Sequence, residues 1–206
     1  MVRVKICGIT TVSDALWALD FGADAVGLVF AKSPRQVSVR LAEKISRAVG
    51  PWMAVCGVFV DEPPVLVRRI AGDVGLSAIQ LHGSEPPQEI GDYKGLKVIK
   101  TFHVDEKFRL ERLKSYRKAD AFLFDTKVGD RLGGTGKTFD WKVLKKISTE
   151  KPVIISGGLN PQNVAAAVRF FRPYGVDVSS GVEKKPGKKD LNRIRDFIRN
   201  AKKIEF

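Results

Sequence analysis

Short apolar segments alternate with longer amphipathic segments along the whole chain. Most of the apolar segments are nearly continuous runs, which is typical of parallel strands that are covered on both faces. We predict strands at residues 3–7, 23–30, 54–60, 77–82, 96–102, 121–126, 152–157 and 176–180. We predict helices between them, one starting near Thr11 or Ser13 and the others at 39–49, 63–74, 86–92, 106–116, 140–148, 161–171 and 190–202. The pattern therefore gives eight strand–helix units.

Eight such units with short connections predict a single (β/α)8 barrel (TIM barrel). The chain has 206 residues, near the lower end for this fold, and shows no linker and no change of composition, so we expect one catalytic domain over 1–206. The even-numbered strands open alike, with FGADAVG, VGLSAIQ, RKADAFL and YGVDVSS, which fits layered packing inside a barrel. A doubly wound open sheet is the alternative.

The net charge of the chain indicates which classes of binding partner are possible. Lys and Arg number 36 against 23 acidic residues, a formal net charge of +13, which suits nucleic acid, a membrane surface or a small anionic ligand. The basic residues are spread out and lack interleaved aromatics, and no run approaches the roughly 18 apolar residues of a membrane helix. We therefore expect a small anionic ligand, no nucleic acid and no membrane. With two cysteines and no signal peptide, we expect a cytoplasmic protein.

Glycine-rich loops follow the last two predicted strands. Gly157 and Gly158 end strand seven, and Ser179, Ser180 and Gly181 end strand eight. Loops at these two places form the usual phosphate site of a (β/α)8 barrel, because their backbone N–H groups can approach an anion closely. Two ordinary glycine turns are the alternative, but their occurrence after both strands favours a phosphate site.

Two reactive side chains end other predicted strands and would share the same rim. Asp125 ends strand six after three apolar residues, where desolvation would favour its neutral form and suit it to acid–base catalysis. Cys7 ends strand one, whereas Cys56 lies inside strand three and is expected to fill the core. The two cysteines lack the CxxC spacing of a redox pair. The glycine-rich segment 127–141 after Asp125 is a candidate lid.

Polar residues near two further strand ends are weaker candidates. Arg35 follows strand two and could grip a carboxylate with its guanidinium fork, although a loop arginine is more often solvated. His82 ends strand four, and its position taken alone favours a structural role. His82 and His103 are the two histidines of the chain, and with no acidic cluster beside them in sequence we expect no metal site.

Taken together, the motifs resemble one known family, the phosphoribosylanthranilate isomerases of tryptophan biosynthesis. The matching segments run in the family's order from Lys5 to Lys188, and they are KICGIT, GLVF with KSPR, CGVFV, QLHG, FDT, GGTGKTFDW, SGGLNPQNV and DVSSGVE. The resemblance implies a (β/α)8 fold, no cofactor and an Amadori rearrangement of N-(5-phosphoribosyl)anthranilate. The segment Lys127–Arg131 is locally divergent, and no role is assigned to it.

The resemblance also implies roles for individual residues. The family's general acid matches Asp125 and its general base matches Cys7, whose thiolate we expect cationic surroundings to favour. The remaining matches are Arg35 for the substrate carboxylate, Asp177 for a further polar contact, His82 for a pocket position of open role, and Gly157, Gly158, Ser180 and Gly181 for the phosphate. A monomer and a homodimer both remain open.

Two other classes of function are weighed against this one. A related sugar isomerase of histidine biosynthesis would carry aspartate where Cys7 stands, and indole-glycerol phosphate synthase would need an early catalytic lysine and a longer amino terminus. An RNA-binding scaffold would account for the positive charge. It would not account for an acid, a base and two anion loops on one rim.

Overall fold

Eight parallel strands close into a barrel in a computed structural model that describes residues 1–105, 108–125 and 149–204. The strands are β1 Arg3–Cys7, β2 Ala25–Val29, β3 Ala54–Phe59, β4 Ala78–Leu81, β5 Lys97–His103, β6 Ala121–Asp125, β7 Val153–Ser156 and β8 Gly175–Val178. Each strand pairs with the next along the chain, and β8 pairs with β1. The predicted (β/α)8 barrel is confirmed, and the open sheet is excluded.

Helices connect the strands on the outside. They are α1 Val12–Asp20, α2 Val39–Val49, α3 Pro64–Val74, a 3-10 helix Pro87–Asp92, α4 Arg112–Ser115, α5 Val164–Phe171, a 3-10 helix Ser180–Val182 and α6 Leu191–Lys202. Three helices have a side-chain cap at the N-terminus, which accepts a hydrogen bond from a backbone N–H group: Thr11 caps α1, Ser38 caps α2 and Asp190 caps α6. None of the helices in the described part of the chain is long and apolar enough to cross a membrane.

Several predicted boundaries move in the structure. The segment predicted as helix 86–92 is a 3-10 helix, Pro87–Asp92, with Pro86 before its first residue. Only Arg112–Ser115 of the predicted helix 106–116 is α-helical in its described part, and predicted helix 140–148 and candidate lid 127–141 lie outside the described residues. A short antiparallel ribbon, β9 Glu183–Lys185 with β10 Lys188–Lys189, was not predicted.

Two separate clusters of buried apolar side chains stabilise the barrel. The larger core lies between the strands and helices and includes Ile6, Leu28 and Phe197, all fully buried. A separate small cluster of Ala121, Leu123 and Ile154 comes from the adjacent strands β6 and β7. Since side chains alternate along a strand, Leu123 lies on the same face of β6 as Asp125. An apolar layer therefore lies beneath the carboxyl end of β6, where the candidate acid stands.

Candidate active site

The loops after β7 and β8 pack directly on each other. Gly157 and Gly158 have φ values of 88° and 65°, a left-handed conformation that other L-residues rarely adopt. A Cβ at Gly181 would come within 1.9 Å of the Leu159 carbonyl oxygen, so the two loops touch at a point where no side chain fits. The two predicted anion loops are therefore in contact and form one continuous part of the rim at the carboxyl ends of the strands.

Cys7 lies at the end of β1, as predicted, and it is buried. It is the register partner of Gly27 on β2. Gly8 follows with a φ of 71°, which turns the chain away from the strand. Cys56 is buried within β3, in agreement with the predicted core role.

A buried polar network lies beside Cys7. The Lys5 ammonium donates to Asp177 Oδ1 at 2.8 Å and to Gln80 Oε1 at 2.9 Å. Ser156 donates to the other carboxylate oxygen of Asp177 at 3.1 Å. Asp177 was predicted as a substrate contact, and in the structure it holds the lysine that neighbours the thiol.

Sequence reasoning missed Lys5, Gln80 and Ser156 as members of the site. A signal was available for two of them, because Lys5 and Gln80 interrupt otherwise apolar parallel strands. A polar side chain on such a strand must be paired inside the barrel or against a helix. The sequence cannot tell which partner it meets.

Burial and nearby cations act on the pKa of Cys7 in opposite directions. Burial raises the pKa of the Cys7 thiol and outweighs the nearby Lys5 ammonium, which lowers it. Burial lowers the pKa of Lys5, but the Asp177 carboxylate opposes this effect and leaves that pKa above its ordinary value. The Lys5 and Lys189 ammonium groups therefore act in the expected direction, toward the thiolate, but burial outweighs them and leaves the pKa of Cys7 above its ordinary value.

Asp125 and His82 face each other at the ends of β6 and β4. His82 Nε2 lies 3.8 Å from Asp125 Oδ2, and Gln80 Nε2 lies 2.9 Å from His82 Nδ1. Burial lowers the pKa of His82 below 6.5, against the opposing effect of the Asp125 carboxylate. His82 is therefore held next to the candidate acid mainly as a neutral imidazole near neutral pH.

His103 completes a cluster that the sequence did not reveal. It is the register partner of Asp125, its ring packs edge-on against His82 at 4.9 Å, and possible ligand atoms of the three residues lie within 4.8 Å of one another. In space, one acid, Asp125, therefore stands beside the two histidines. The fit to a metal is nevertheless poor, because the Gln80 amide already lies 2.9 Å from Nδ1 of His82 and so occupies one of its two possible ligand atoms.

Arg35 binds a carboxylate of the protein itself. Its Nε and Nη2 atoms donate to the two carboxylate oxygens of Glu183 at 2.8 and 2.7 Å. The Lys189 ammonium donates to the same carboxylate at 2.9 Å. A Cβ at Gly8 would lie 2.5 Å from Arg35 Cδ, so the arginine crosses the backbone next to Cys7. Glu183 and Lys189 were not predicted.

Comparison with known proteins gives a consistent result. The family model of N-(5'-phosphoribosyl)anthranilate isomerase matches residues 4–200. The N-(5'-phosphoribosyl)anthranilate isomerase of Pelobacter propionicus is 47% identical over 98% of this chain and 96% of its own, and that of Rubrobacter xylanophilus is 46% identical over 98% and 100%.

Solved structures agree with the family model. Phosphoribosyl anthranilate isomerase from Thermotoga maritima covers 99% of this chain and 100% of its own at 46% identity and a TM-score of 0.91. A second structure of the isomerase, in complex with reduced 1-(o-carboxyphenylamino)-1-deoxyribulose 5-phosphate, covers the same shares at 43% identity and a TM-score of 0.88. A structure of monomers generated from the dimeric Thermotoga maritima isomerase also matches, at 42% identity over the same shares and a TM-score of 0.87. This chain belongs to the phosphoribosylanthranilate isomerase family.

Proposed function

We infer that this chain isomerises N-(5-phospho-β-D-ribosyl)anthranilate to 1-(2-carboxyphenylamino)-1-deoxy-D-ribulose 5-phosphate in tryptophan biosynthesis. The observation that carries this conclusion is the family match over residues 4–200. The reaction is an internal oxidation and reduction in which protons move and no atoms are gained or lost. An acid and a base on one rim are the groups that it needs.

Asp125 is proposed as the general acid. Its proton passes to the furanose ring oxygen, the bond between C1 and that oxygen breaks, and an open-chain Schiff base forms. The position of Asp125 at the carboxyl end of β6, above the apolar layer of Leu123, supports this role. His82 lies beside it and is proposed as a pocket residue of the same half of the site.

Cys7 is proposed as the general base. Its thiolate takes the proton from C2 of the Schiff base and leaves an enolamine, which tautomerises to the ketone. The thiolate has to form against the effect of burial, and the Lys5 ammonium is the neighbouring charge that opposes this effect. We therefore propose that Lys5, held by Asp177, supports the base.

The two anionic ends of the substrate are proposed to bind different groups of the rim. The phosphate is proposed to bind backbone N–H groups of Gly157, Gly158, Ser180 and Gly181 where the two loops meet. Ser179 Oγ is a further candidate, because within the described ranges it is buried without a hydrogen-bond partner. Arg35 is proposed to bind the anthranilate carboxylate with guanidinium N–H groups outside its Glu183 contact.

The remaining proposals concern the protein as a whole. We propose that residues 1–206 act as one catalytic domain on a phosphorylated small molecule, without nucleic acid, in the cytoplasm. Asp177 is proposed to contact the substrate while it holds Lys5. Monomer and homodimer are both compatible with the fold, and sedimentation of the purified protein decides between them.

Loss of the substrate's anthranilate fluorescence tests the proposed function. Purified protein is mixed with substrate generated from anthranilate and phosphoribosyl pyrophosphate, and the decay is compared with a protein-free blank. A rate that scales with protein concentration supports the proposal. Decay at the blank rate in folded protein contradicts it.

A further inference from the structure

A hydrogen-bonded chain runs from Lys5 on β1 to the candidate acid on β6. The Lys5 ammonium can only donate, and it lies 2.9 Å from one end of the Gln80 amide. That end must therefore be the amide oxygen. Both side chains are buried, so solvent does not compete for this contact. The lysine thus fixes which way the Gln80 amide points.

The other end of the amide determines the protonation of His82. With its oxygen facing Lys5, Gln80 presents its NH2 group to His82 Nδ1 at 2.9 Å and to Thr101 Oγ1 at 3.1 Å. An NH2 group only donates, so Nδ1 has to be the unprotonated, accepting nitrogen. A neutral His82 then carries its proton on Nε2, the atom that lies 3.8 Å from Asp125 Oδ2.

We propose that Gln80 is a positioning residue that sets the tautomer of His82, so that the imidazole presents an N–H donor to Asp125. The consequence for catalysis rests on the proposed role of Asp125 as the acid. When Asp125 gives up its proton, the new carboxylate meets a donor, and the contact shortens from 3.8 Å to a hydrogen bond. The other tautomer would turn a nitrogen lone pair toward the same negative charge.

With this tautomer, the interaction of His82 with Asp125 becomes stronger during ring opening, when Asp125 gains its negative charge. A hydrogen bond to the carboxylate is gained as Asp125 becomes charged, so it stabilises the transition state of ring opening more than the ground state. His82 needs no proton transfer of its own for this role. Gln80 acts through His82 and does not itself touch the reacting atoms.

Nitrogen NMR of the native protein tests the tautomer directly. The chain has two histidines, so protein labelled with 15N-histidine gives two ring systems, and His103→Gln identifies the one that belongs to His82. We expect the proton of neutral His82 on Nε2 and an unprotonated Nδ1. A proton on Nδ1, or an equal mixture of the two tautomers, would overturn the proposal without any change to the catalytic site.

A pair of variants tests the consequence for catalysis. Gln80→Glu places a carboxylate oxygen, which only accepts, against Nδ1 and so moves the proton onto that nitrogen. We expect kcat to fall about 10- to 100-fold, the size of loss that follows replacement of a partner that orients a metal-ligating histidine. Thr101→Val is the matched control, because it removes the other acceptor of the same NH2 group and keeps the His82 contact. It should keep both the Nε2–H tautomer and a near-native kcat.

The outcomes separate the possible explanations. A Gln80→Glu protein whose tautomer has switched but whose kcat is native would show that the tautomer does not matter. A fall in kcat with an unchanged tautomer would mean that Gln80 is merely structural, which also contradicts the proposal. If the native protein shows no turnover at all, the proposed function fails instead, and the NMR result still reports the tautomer.

Discussion

Cys7 and Gly27 are register partners on β1 and β2, and the sulfur of Cys7 fills the space beside the glycine. A Cβ at position 27 would lie 2.7 Å from Cys7 Sγ and 3.1 Å from Lys5 Nζ. The side chain of the proposed base and the charge that supports it therefore both depend on the absence of a side chain on the neighbouring strand.

Gly27→Ala is expected to damage the site through this contact. The methyl group has to displace the sulfur or spread the strands, which costs roughly 1–3 kcal/mol in a packed core. We predict at least a tenfold lower kcat, measured by the fluorescence assay, with a lower urea midpoint. Gly72→Ala is the control, since a Cβ there meets nothing within 4 Å in α3. It should stabilise the protein by about 0.5–1 kcal/mol and leave kcat unchanged. Native kinetics in Gly27→Ala would contradict the account.

The ion pair of Arg35 and Glu183 gives a second prediction. Glu183 is buried and pairs with both Arg35 and Lys189, so Glu183→Gln leaves one buried cation and one half-buried cation without their charge partner. We predict a loss of about 3–5 kcal/mol in the free energy of unfolding. We also predict a higher KM, because Arg35 loses the contact that orients it toward the substrate carboxylate.

A surface pair provides the comparison for Glu183→Gln. Asp196 pairs with Arg195 and Arg199 on an exposed face of α6, and Asp196→Asn should cost no more than about 1 kcal/mol. Urea unfolding of the two variants measures the difference. Equal losses would show that burial of Glu183 does not matter, and an unchanged KM would contradict its role in holding Arg35.

Much of the fold is readable from the sequence because parallel strands covered on both faces produce apolar runs that stand out between amphipathic helices. The rim positions of Cys7 and Asp125 follow from that pattern together with the rule that barrel sites lie at the carboxyl ends of strands. The phosphate loops are visible for the same reason, since their glycines follow the last two strands. All these features are local in sequence.

The pairing inside the barrel could not be predicted in this way. Lys5 meets Asp177 across 172 positions of sequence, and Arg35 meets Glu183 across 148. Such contacts depend on barrel closure and on the stagger of the strands, which no local pattern records. The net direction of the Cys7 pKa could not be predicted for a related reason, because the sequence shows nearby cations but not the depth of burial that opposes them.

Acid pH provides a third prediction, through Glu85. Burial raises the pKa of this carboxyl, but the hydrogen bond and charge of Lys100 outweigh it and hold the pKa below its ordinary value of 4.5. A lowered pKa in the folded state means stability that is present above about pH 4.5 and is lost as the pH falls through the folded value. We therefore predict a urea midpoint that declines below about pH 4.5.

Glu85→Gln separates this contribution from the general effect of acid. The amide cannot titrate, so the variant should be less stable than the native protein at neutral pH and should show a shallower decline in acid. The ordinary exposed carboxylates are the same in both proteins. Parallel pH profiles of the urea midpoint would contradict the assigned role of the Lys100 pair.

Replacing either proposed catalytic group is the fourth prediction. Cys7→Ser and Asp125→Asn should each lower kcat by about 10²–10⁴-fold, since each removes one general acid or base. Circular dichroism should show an intact fold in both variants, because each replacement is close in size to the native side chain. Near-native turnover in either variant would remove that residue from its role.

The central claim is that Asp125 opens the sugar ring before Cys7 takes the C2 proton, and trapping of the Schiff base tests it most directly. Each variant is mixed with substrate and quenched with borodeuteride, and the open-chain amine that carries deuterium on C1 is measured by tandem mass spectrometry above a protein-free blank. Reduction of the ketone product places the deuterium on C2 instead, so that product is counted separately. Cys7→Ser can open the ring but cannot proceed, so we predict trapped amine in excess of the blank. Asp125→Asn should give the blank level. Excess amine with Asp125→Asn, or none with folded Cys7→Ser that binds substrate, would contradict the division of roles.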